Sequence, residues 1–502
     1  MKTQGNDAIY VTIWYNNGIT IRGGIMDRYK TSTSRDQLSF MPLCLDDMIS
    51  ADNEVRAIDA IVDRLDITDM GFVYSETKQT GRKPYSPVDM FKLYAYSYIN
   101  GIRSSRKIER ECHRNIEVMW LIHELKPDFK TIADFRKNNK KPIKLAFSKF
   151  SMICDELGLI GKELIAVDGS KFRASNSRMA YHSEKKIEKK IEHYQKVAEE
   201  YIKLLDSSDD QEQATEASPL GKREIQSKID RINTRLSELE ELRRQVKETG
   251  TIYETDPDSK MMKMNNNGVD ICHNVQIAVE DKNHLIVAVD VTSQPIDKQQ
   301  FHNMALQAKQ ELGVDTITAI ADKGYYSAEQ FYRCKSDGII PIVSKADHSN
   351  AAATNAYGKI HFNYDEQNKG YICPQGHLLR GYAQRKKNGY VRYYNYAACA
   401  QCPVKSQCST SAKGRVIHDR PLQRYAVEVD KRTNANLDMY KKRKQMVEHP
   451  FGTVKRAMGF TYFLTRGNAN VKTESLLHFL AYNMKRVMNL MGTAKLVRVL
   501  EG

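Results

Sequence analysis

Acid is in short supply in this chain: 62 Asp and Glu stand against 77 Lys and Arg among 502 residues, a formal net charge of +15. A deficit of that size points to an anionic partner, either nucleic acid or an acidic membrane surface. Long apolar runs are missing too. None approaches the roughly 20 residues needed to cross a bilayer, which argues against membrane insertion. The N-terminus has no basic stretch leading into an apolar one, so no signal peptide is expected. Cysteine is sparse, nine in all, which fits a reducing cytosol with thiols free or on metal.

What is present reads as about three domains' worth of chain. Residues 1–37 form an N-terminal extension, in which 1–25 have some strand character but no clear partner. Residues 38–158 read as an all-α domain. EVRAIDAIVDRLD sets Val55, Ile58, Ile61, Val62 and Leu65 on one helical face. Ser86-Pro87 starts a second helix as N-cap and first position, and it stops at Asn100-Gly101. Thr131 is the expected cap of IADFRKNNKK, and Gly158 closes the last helix. Arg103, Arg106, Lys107 and Arg110 make this domain a candidate DNA-binding unit, although a solvated helix face has the same composition.

The texture changes over 159–490. Leu164–Val167 reads as a buried strand ending in Asp168. CHNVQIAVE and HLIVAVDVTS form a hairpin about Asp281-Lys282-Asn283, a helix follows over about 298–312, and the strand Thr316–Ala321 ends in Asp322. Ser327 caps the next helix and IIPIVSK is a further strand. Strands alternating with helices after a hairpin predict an α/β fold, a mixed sheet with flanking helices. Two insertions interrupt it. Residues 184–248 form a charged coiled-coil hairpin turning near 218–221, with Ile225, Ile229, Ile232, Leu236, Leu239 and Val246 on its seam. Residues 365–415 hold Cys373, Cys399, Cys402 and Cys408. The Cys399-x2-Cys402 knuckle is spaced for a tetrahedral zinc, with His377 as a substitute ligand. This insert lacks apolar periodicity, so metal rather than a core is expected to order it.

Asp168 and Asp322 share a placement: each ends an apolar strand and stands beside a turn glycine, Gly169 or Gly324. Ligand sites in open α/β sheets gather at such strand ends. Two carboxylates there repel unless cations neutralise them, and hard oxygen ligands suit magnesium or manganese. A pair of ions can activate the attacking oxygen and stabilise the leaving one in an in-line phosphoryl displacement. Lys171 and Lys323 lie next to these acids. A third acid, Glu448, sits in YKKRKQMVEHPFGTVKR, where Lys455 falls nearly on its helical face and Pro450 is expected to kink or start the helix.

VDGSKFRAS, AIADKGYYS and VEHPFGTVKR together resemble the three acidic motifs of bacterial insertion-sequence transposases of the DDE class. TGRKPYSPVDMFKLYAYSYINGIRSSRKIEREC, the TDPDS stretch about Asp256–Ser259 and the cysteine cluster are similar to one branch of that family, over about residues 38–490. The resemblance implies an RNase H-like core with Asp168, Asp322 and Glu448 as catalytic residues holding two Mg2+ or Mn2+ ions. The cysteine cluster of that branch corresponds to Cys373, Cys399, Cys402 and Cys408, whose spacing suits a structural Zn2+, with free thiols in a loop as the alternative. Lys171, Lys323, Tyr440, Arg443, Lys444, Lys455, Arg103, Arg106 and Lys107 would meet DNA. Arg443 is one residue farther from Glu448 than the family's commonest spacing, and Lys444 fills that slot. The expected activity is cleavage of the element's own ends and joining of their 3′-OH groups to target DNA, by a homodimer or larger assembly in the bacterial cytoplasm, associated with the nucleoid. A zinc-containing DNA-binding regulator and a non-transposing nuclease on the same fold are the competing readings.

Overall fold

The computed structural model describes residues 44–73, 83–177, 179–210, 222–264, 268–345, 357–383, 391–419 and 422–502. The expected N-terminal extension and the hairpin turn at 218–221 lie outside them. The chain divides into two compact units, Met1–Met48 and Ile49–Gly502. In the first, the described residues form a short 3-10 turn, Leu45–Met48.

The second unit begins with helices: α1 (Glu54–Leu65), α2 (Pro87–Ile99), α3 (Ser105–Glu111), α4 (Ile116–Leu121), α5 (Phe129–Asn138) and α6 (Lys140–Glu156). The predicted stripe of α1 is buried along its length, and Asn53 caps the helix by accepting from the Val55 N–H. Ser86 does the same for α2 at Val88, with Pro87 in the first position. The cap of α5 differs from the expectation. Asp128, not Thr131, starts it, because its carboxylate takes the N–H groups of Lys130 and Thr131 and also the Thr131 hydroxyl. A carboxylate offers more acceptor sites than a hydroxyl and a charge suited to the helix N-terminus.

A six-stranded sheet follows. β1 (Leu164–Arg173) precedes the two-residue strand β2 (Tyr181–His182). The long helices α7 (Glu184–Asp210) and α8 (Lys222–Thr249) come next, then β3 (Ile252–Tyr253), which pairs with β2 at their base. Ile187 and Ile191 of α7 bury against Leu239 and Val246 of α8. β4 (Lys260–Met264), β5 (Gly268–Glu280), β6 (Ile286–Thr292), α9 (Phe301–Leu312), β7 (Ile317–Ala321), α10 (Ala328–Ser336) and β8 (Ile339–Val343) complete this part. The order is β4-β5-β1-β7-β8, with β6 also on β5. β5 runs antiparallel to β1, whereas β7 and β8 run parallel to it. The strands bury nearly every apolar side chain, as strands covered by helices do.

The cysteine-bearing insert is a small antiparallel sheet, β9 (Asn363–Asp365), β10 (Gly370–Ile372), β11 (Leu378–Ala383), β12 (Val391–Tyr394) and β13 (Val416–Asp419). The short helices α11 (Tyr396–Ala400) and α12 (Lys405–Cys408) lie between the last two strands. Contrary to the sequence expectation, it has its own core of Phe362, Tyr371, Leu379, Tyr393 and Ile417. One apolar side chain from each of β10 to β13, with Phe362 just before β9, makes this core, so no apolar period marks it in the sequence.

The chain ends in α13 (Gln423–Ala435), α14 (Leu437–Gly452), a π-helical turn (Thr453–Ala457), α15 (Asn468–Met491) and α16 (Thr493–Glu501). α15 joins the helical region to the sheet. Its Asn483 side chain accepts from the Ile286 N–H and donates to the Ile286 C=O, at 2.9 and 2.8 Å, covering the edge of β6. On its other side Glu474, fully buried, receives the Arg103 guanidinium at 3.2 Å. Arg103 also donates to His478 Nε2 and to the carbonyls of Gly459 and Tyr462. Glu474 in turn accepts from the backbone N–H groups of Leu464 and Thr465. Arg103, expected on a DNA-binding face, is therefore an internal strut. Arg106, Lys107 and Arg110 remain exposed.

Breaking a buried pair strands the other charge, a loss of about 3–5 kcal/mol. Arg103→Ala is expected to lower the unfolding free energy, read from denaturant titration, by that amount. Arg106→Ala, which removes an exposed guanidinium lying over Phe129, should cost no more than about 1 kcal/mol. Equal effects of the two substitutions would show that Arg103 is not the strut.

Candidate active site

β1 and β7 are neighbouring parallel strands in a register that pairs Val167 with Ala321. The next residue on each is Asp168 and Asp322. Parallel strands lie about 4.8 Å apart, so the register itself sets the two carboxylates side by side where the ladder ends. β1 continues past this point to Arg173 on its antiparallel partner β5. Asp168 thus sits within a strand rather than at its end, which fixes its backbone on one side. Each acid is oriented locally: Asp168 accepts from the Gly169 N–H at 2.9 Å, Asp322 from the Gly324 N–H at 2.8 Å.

Burial pushes the pKa of Asp168 up to about 6. The Gly169 N–H opposes that shift, the nearby Asp322 adds to it, Arg443 opposes it and Asp297 adds to it. The two predicted acids are therefore close enough to repel, the condition under which a divalent cation is favoured. Hard carboxylate oxygens from adjacent strands fit Mg2+ or Mn2+.

α14 packs over β1 and β7. Met446, Val447, Pro450 and Phe451 are its buried face, and Phe451 meets Phe172 of β1 at 6.2 Å between ring centres. Pro450, expected to kink or start the helix, is accommodated within it, and the backbone adjusts about a turn later in the π-helical segment. Arg443 is half-buried and within electrostatic reach of Asp168, while Lys444 is exposed and pairs with Glu448 at 3.9 Å. This separates the two basic residues that spacing left equivalent. Tyr440 packs partly against the core. Lys323 is exposed beside Asp322.

Three predicted residues are placed differently from expectation. Lys455 does not stand free to grip a phosphate: its ammonium donates to Ser170 Oγ at 2.5 Å and to the Lys171 carbonyl at 3.3 Å, over the Phe172 ring. Burial lowers its pKa. Lys171 is paired with Asp297 at 3.0 Å. Glu448 is 65% exposed and turned to Lys444, and among the described residues it is not gathered with the two aspartates into one ion-holding group.

A residue not singled out from the sequence stands nearer. Asp297, in the turn before α9, receives Lys171, Asn274 and Gln276. It carries the same signature as Asp322, a carboxylate soon after an apolar strand and at the start of a helical turn. Beyond Asp168, a cleft of about 920 Å³ runs along β1, lined by Lys171, Arg173, Asn176, Lys455 and Tyr462 among others. Arg173 and Tyr462 are exposed in it.

In the insert, Cys373, Cys399, Cys402 and Cys408 line one small cavity, and the other three thiols help raise the pKa of Cys408, behind burial as the main cause. The donors are of the kind zinc takes. Among the described residues, however, no three His, Cys, Asp or Glu side chains are gathered closely enough to hold an ion. The four-thiolate cage expected from the spacing is not formed.

The raised pKa of Asp168 gives a signed prediction. An ordinary aspartate titrates near 3.8 and this one near 6, so between those values the native state binds the proton more tightly than the unfolded chain. Ionising Asp168 therefore costs stability as pH rises through that window, and the full cost applies above it. Without divalent ions, Asp168→Asn is expected to be more stable than the parent at pH 7.5, by up to about 3 kcal/mol. The advantage should shrink toward pH 4. A melting-temperature difference that is independent of pH would refute this.

Comparison with known proteins follows the two ends of this architecture. Residues 43–138 match a family model described as a transposase domain, and residues 372–488 match one described as a transposase DDE domain. Curated protein sequences give no match. Among solved structures, the cryo-EM structure of the piggyBac transposase synaptic complex with hairpin DNA aligns at 8% identity with a TM-score of 0.30, over 89% of this chain and 79% of that one. The chain thus carries a transposase domain in its helical region and a transposase DDE domain toward its C-terminal end.

Proposed function

We propose that this chain is a DDE-class transposase with an RNase H-like core, which cuts the ends of its own insertion sequence with Asp168 and Asp322 at the centre of catalysis. The observation that carries the reading is the register of β1 and β7, which leaves two mutually repelling carboxylates at one edge of the sheet. They would hold Mg2+ or Mn2+, and Glu448 would join them from α14. Such ions, when bound, supply an activated water and neutralise charge on the leaving oxygen. The chain's own contribution is to fix the acids, to set Arg443 beside them and to offer the cleft past Asp168 to the DNA. Exposed Arg173 and Tyr462 there provide a cation for phosphate and a ring for stacking. Lys323, Lys444, Arg106 and Lys107 are exposed cations suited to further phosphate contacts. The freed 3′-OH would then attack target DNA, and handling two ends makes a homodimer or larger assembly on DNA the natural form.

Two competing readings remain distinguishable. A DNA-binding regulator would keep all its effects without the acids, and a non-transposing nuclease would cut without preference for element ends. Zinc in the insert is proposed on the donor set alone. Its absence from protein purified without chelators, by elemental analysis, would remove it.

With Mg2+, the purified protein is expected to nick or cleave DNA carrying the element's terminal repeats. Asp168→Ala and Asp322→Ala should each reduce that cleavage by at least about 10³-fold while preserving DNA binding. Wild-type cleavage by either variant would overturn the assignment.

A further inference from the structure

We propose that Asp297 is a positioning residue that sets the separation of Asp168 and Asp322 and withholds the charge of Lys171 from them. This inference rests on the assignment of those two acids as the ion-binding pair. Asp297 begins a short turn, Asp297–Gln299, between β6 and α9. That turn packs against the turn Lys323–Tyr325, which follows Asp322.

Three donors from two strands converge on the Asp297 carboxylate. Lys171 Nζ of β1 reaches its two oxygens at 3.1 and 3.0 Å. Asn274 and Gln276 of β5 donate side-chain N–H groups at 2.6 and 2.8 Å. The β1–β5 register explains why these residues meet: Gly169 faces Gln276 and Lys171 faces Asn274. All four positions lie on one face of the sheet, since side chains alternate along a strand.

The network then reaches the second acid. Buried Tyr325, three residues after Asp322, donates its hydroxyl to Gln276 Oε1. Asp297 and Gln276 thus tie the turn carrying Asp322 to the strand carrying Asp168, on the pleat face opposite the Asp168 side chain. Gly169 is required for this closeness. A β-carbon there would stand 2.2 Å from Gln276 Nε2 and 3.0 Å from Asp297 Oδ1, so any other residue would drive the bridge away from the strand.

Charge gives the network its second role. Lys171 is 16% exposed and three residues from Asp168. Were it unpaired, its ammonium would compete with a divalent cation for the field of the two acids, little screened by solvent. Asp297 cancels it locally. Partners one shell outside a metal's ligands commonly change affinity by roughly 10–100-fold.

The test is direct Mn2+ binding, measured by electron paramagnetic resonance on the full chain, alongside melting temperatures. Asp297→Asn keeps the shape but removes the charge and reverses one hydrogen-bonding end. It is expected to weaken Mn2+ binding by about tenfold. Removing the stranded cation as well, in Asp297→Asn with Lys171→Met, should recover most of that loss. A lowered melting temperature with unchanged Mn2+ affinity in Asp297→Asn would make the residue merely structural and overturn the proposal. So would failure of the double variant to recover. Asp168→Ala is the control. If it loses Mn2+ binding while Asp297→Asn does not, this inference alone fails. If Asp168→Ala binds as the parent does, the assignment of the acidic pair fails and takes the inference with it.

Discussion

The pairing of Val167 with Ala321 is the constraint on which the rest of this site depends. A parallel ladder held by fully buried apolar side chains cannot slip by one residue without turning each strand's faces over. It therefore holds Asp168 beside Asp322 even though the two repel. The repulsion is tolerated because it is local and the sheet is not. Around it the chain arranges compensation: peptide N–H groups on both carboxylates, the Arg443 guanidinium within reach of Asp168, and the network that ties the two acid-bearing segments together.

α15 is the second organising element. It connects the sheet to the helical region through groups that bury charge, chiefly Glu474 with Arg103 and, half-exposed, Lys485 with Glu54. His478 lies between Tyr98 and Phe460, with ring centres 4.3 and 3.8 Å away, and accepts from Arg103. Burial and the adjacent Arg103 and Arg136 hold its pKa well below the usual histidine range, which keeps it neutral and able to accept. The TDPDS stretch acquires a physical role here. Asp256 accepts from the Gly467 N–H and pairs with buried His273 of β5, and Asp258 accepts from the Asn468 N–H. Two acids at the N-terminus of a long helix match its dipole. They also fasten α15 close to where the α7–α8 hairpin leaves the sheet.

Most of what periodicity and caps can carry was legible in the sequence. The α1 stripe, the Ser86-Pro87 start, the strands around both aspartates and the buried residues of α8 all follow from spacing and local chemistry. What was not legible depends on tertiary partners. Arg103 and Arg106 are alike in sequence, and only Glu474, far along the chain, makes one a strut and leaves the other exposed. Lys171 and Lys455 looked like phosphate ligands because their acceptors, Asp297 and Ser170, are brought to them by folding. The insert's core escaped notice because each of its short strands β10 to β13 contributes a single apolar side chain. Asp297 had the strand-then-acid signature, but nothing local distinguishes it from a turn cap.

Glu448 completes the argument about how rigid the site has to be. Asp168 and Asp322 are fixed by the sheet, and the separation between them by a buried network. Glu448 instead sits on an exposed helical edge, one turn before Phe451 and two before Lys455, both of which touch β1. Its visible restraint is an exposed pair with Lys444 at 3.9 Å, and such pairs contribute at most about 1 kcal/mol. An ion drawn to the two aspartates would exert a stronger pull than that on a third carboxylate brought within a few ångströms. On the proposed reading the chain therefore divides its labour: two acids are set in advance by the sheet, and the third is held loosely enough that it could be recruited when an ion and its DNA phosphate arrive.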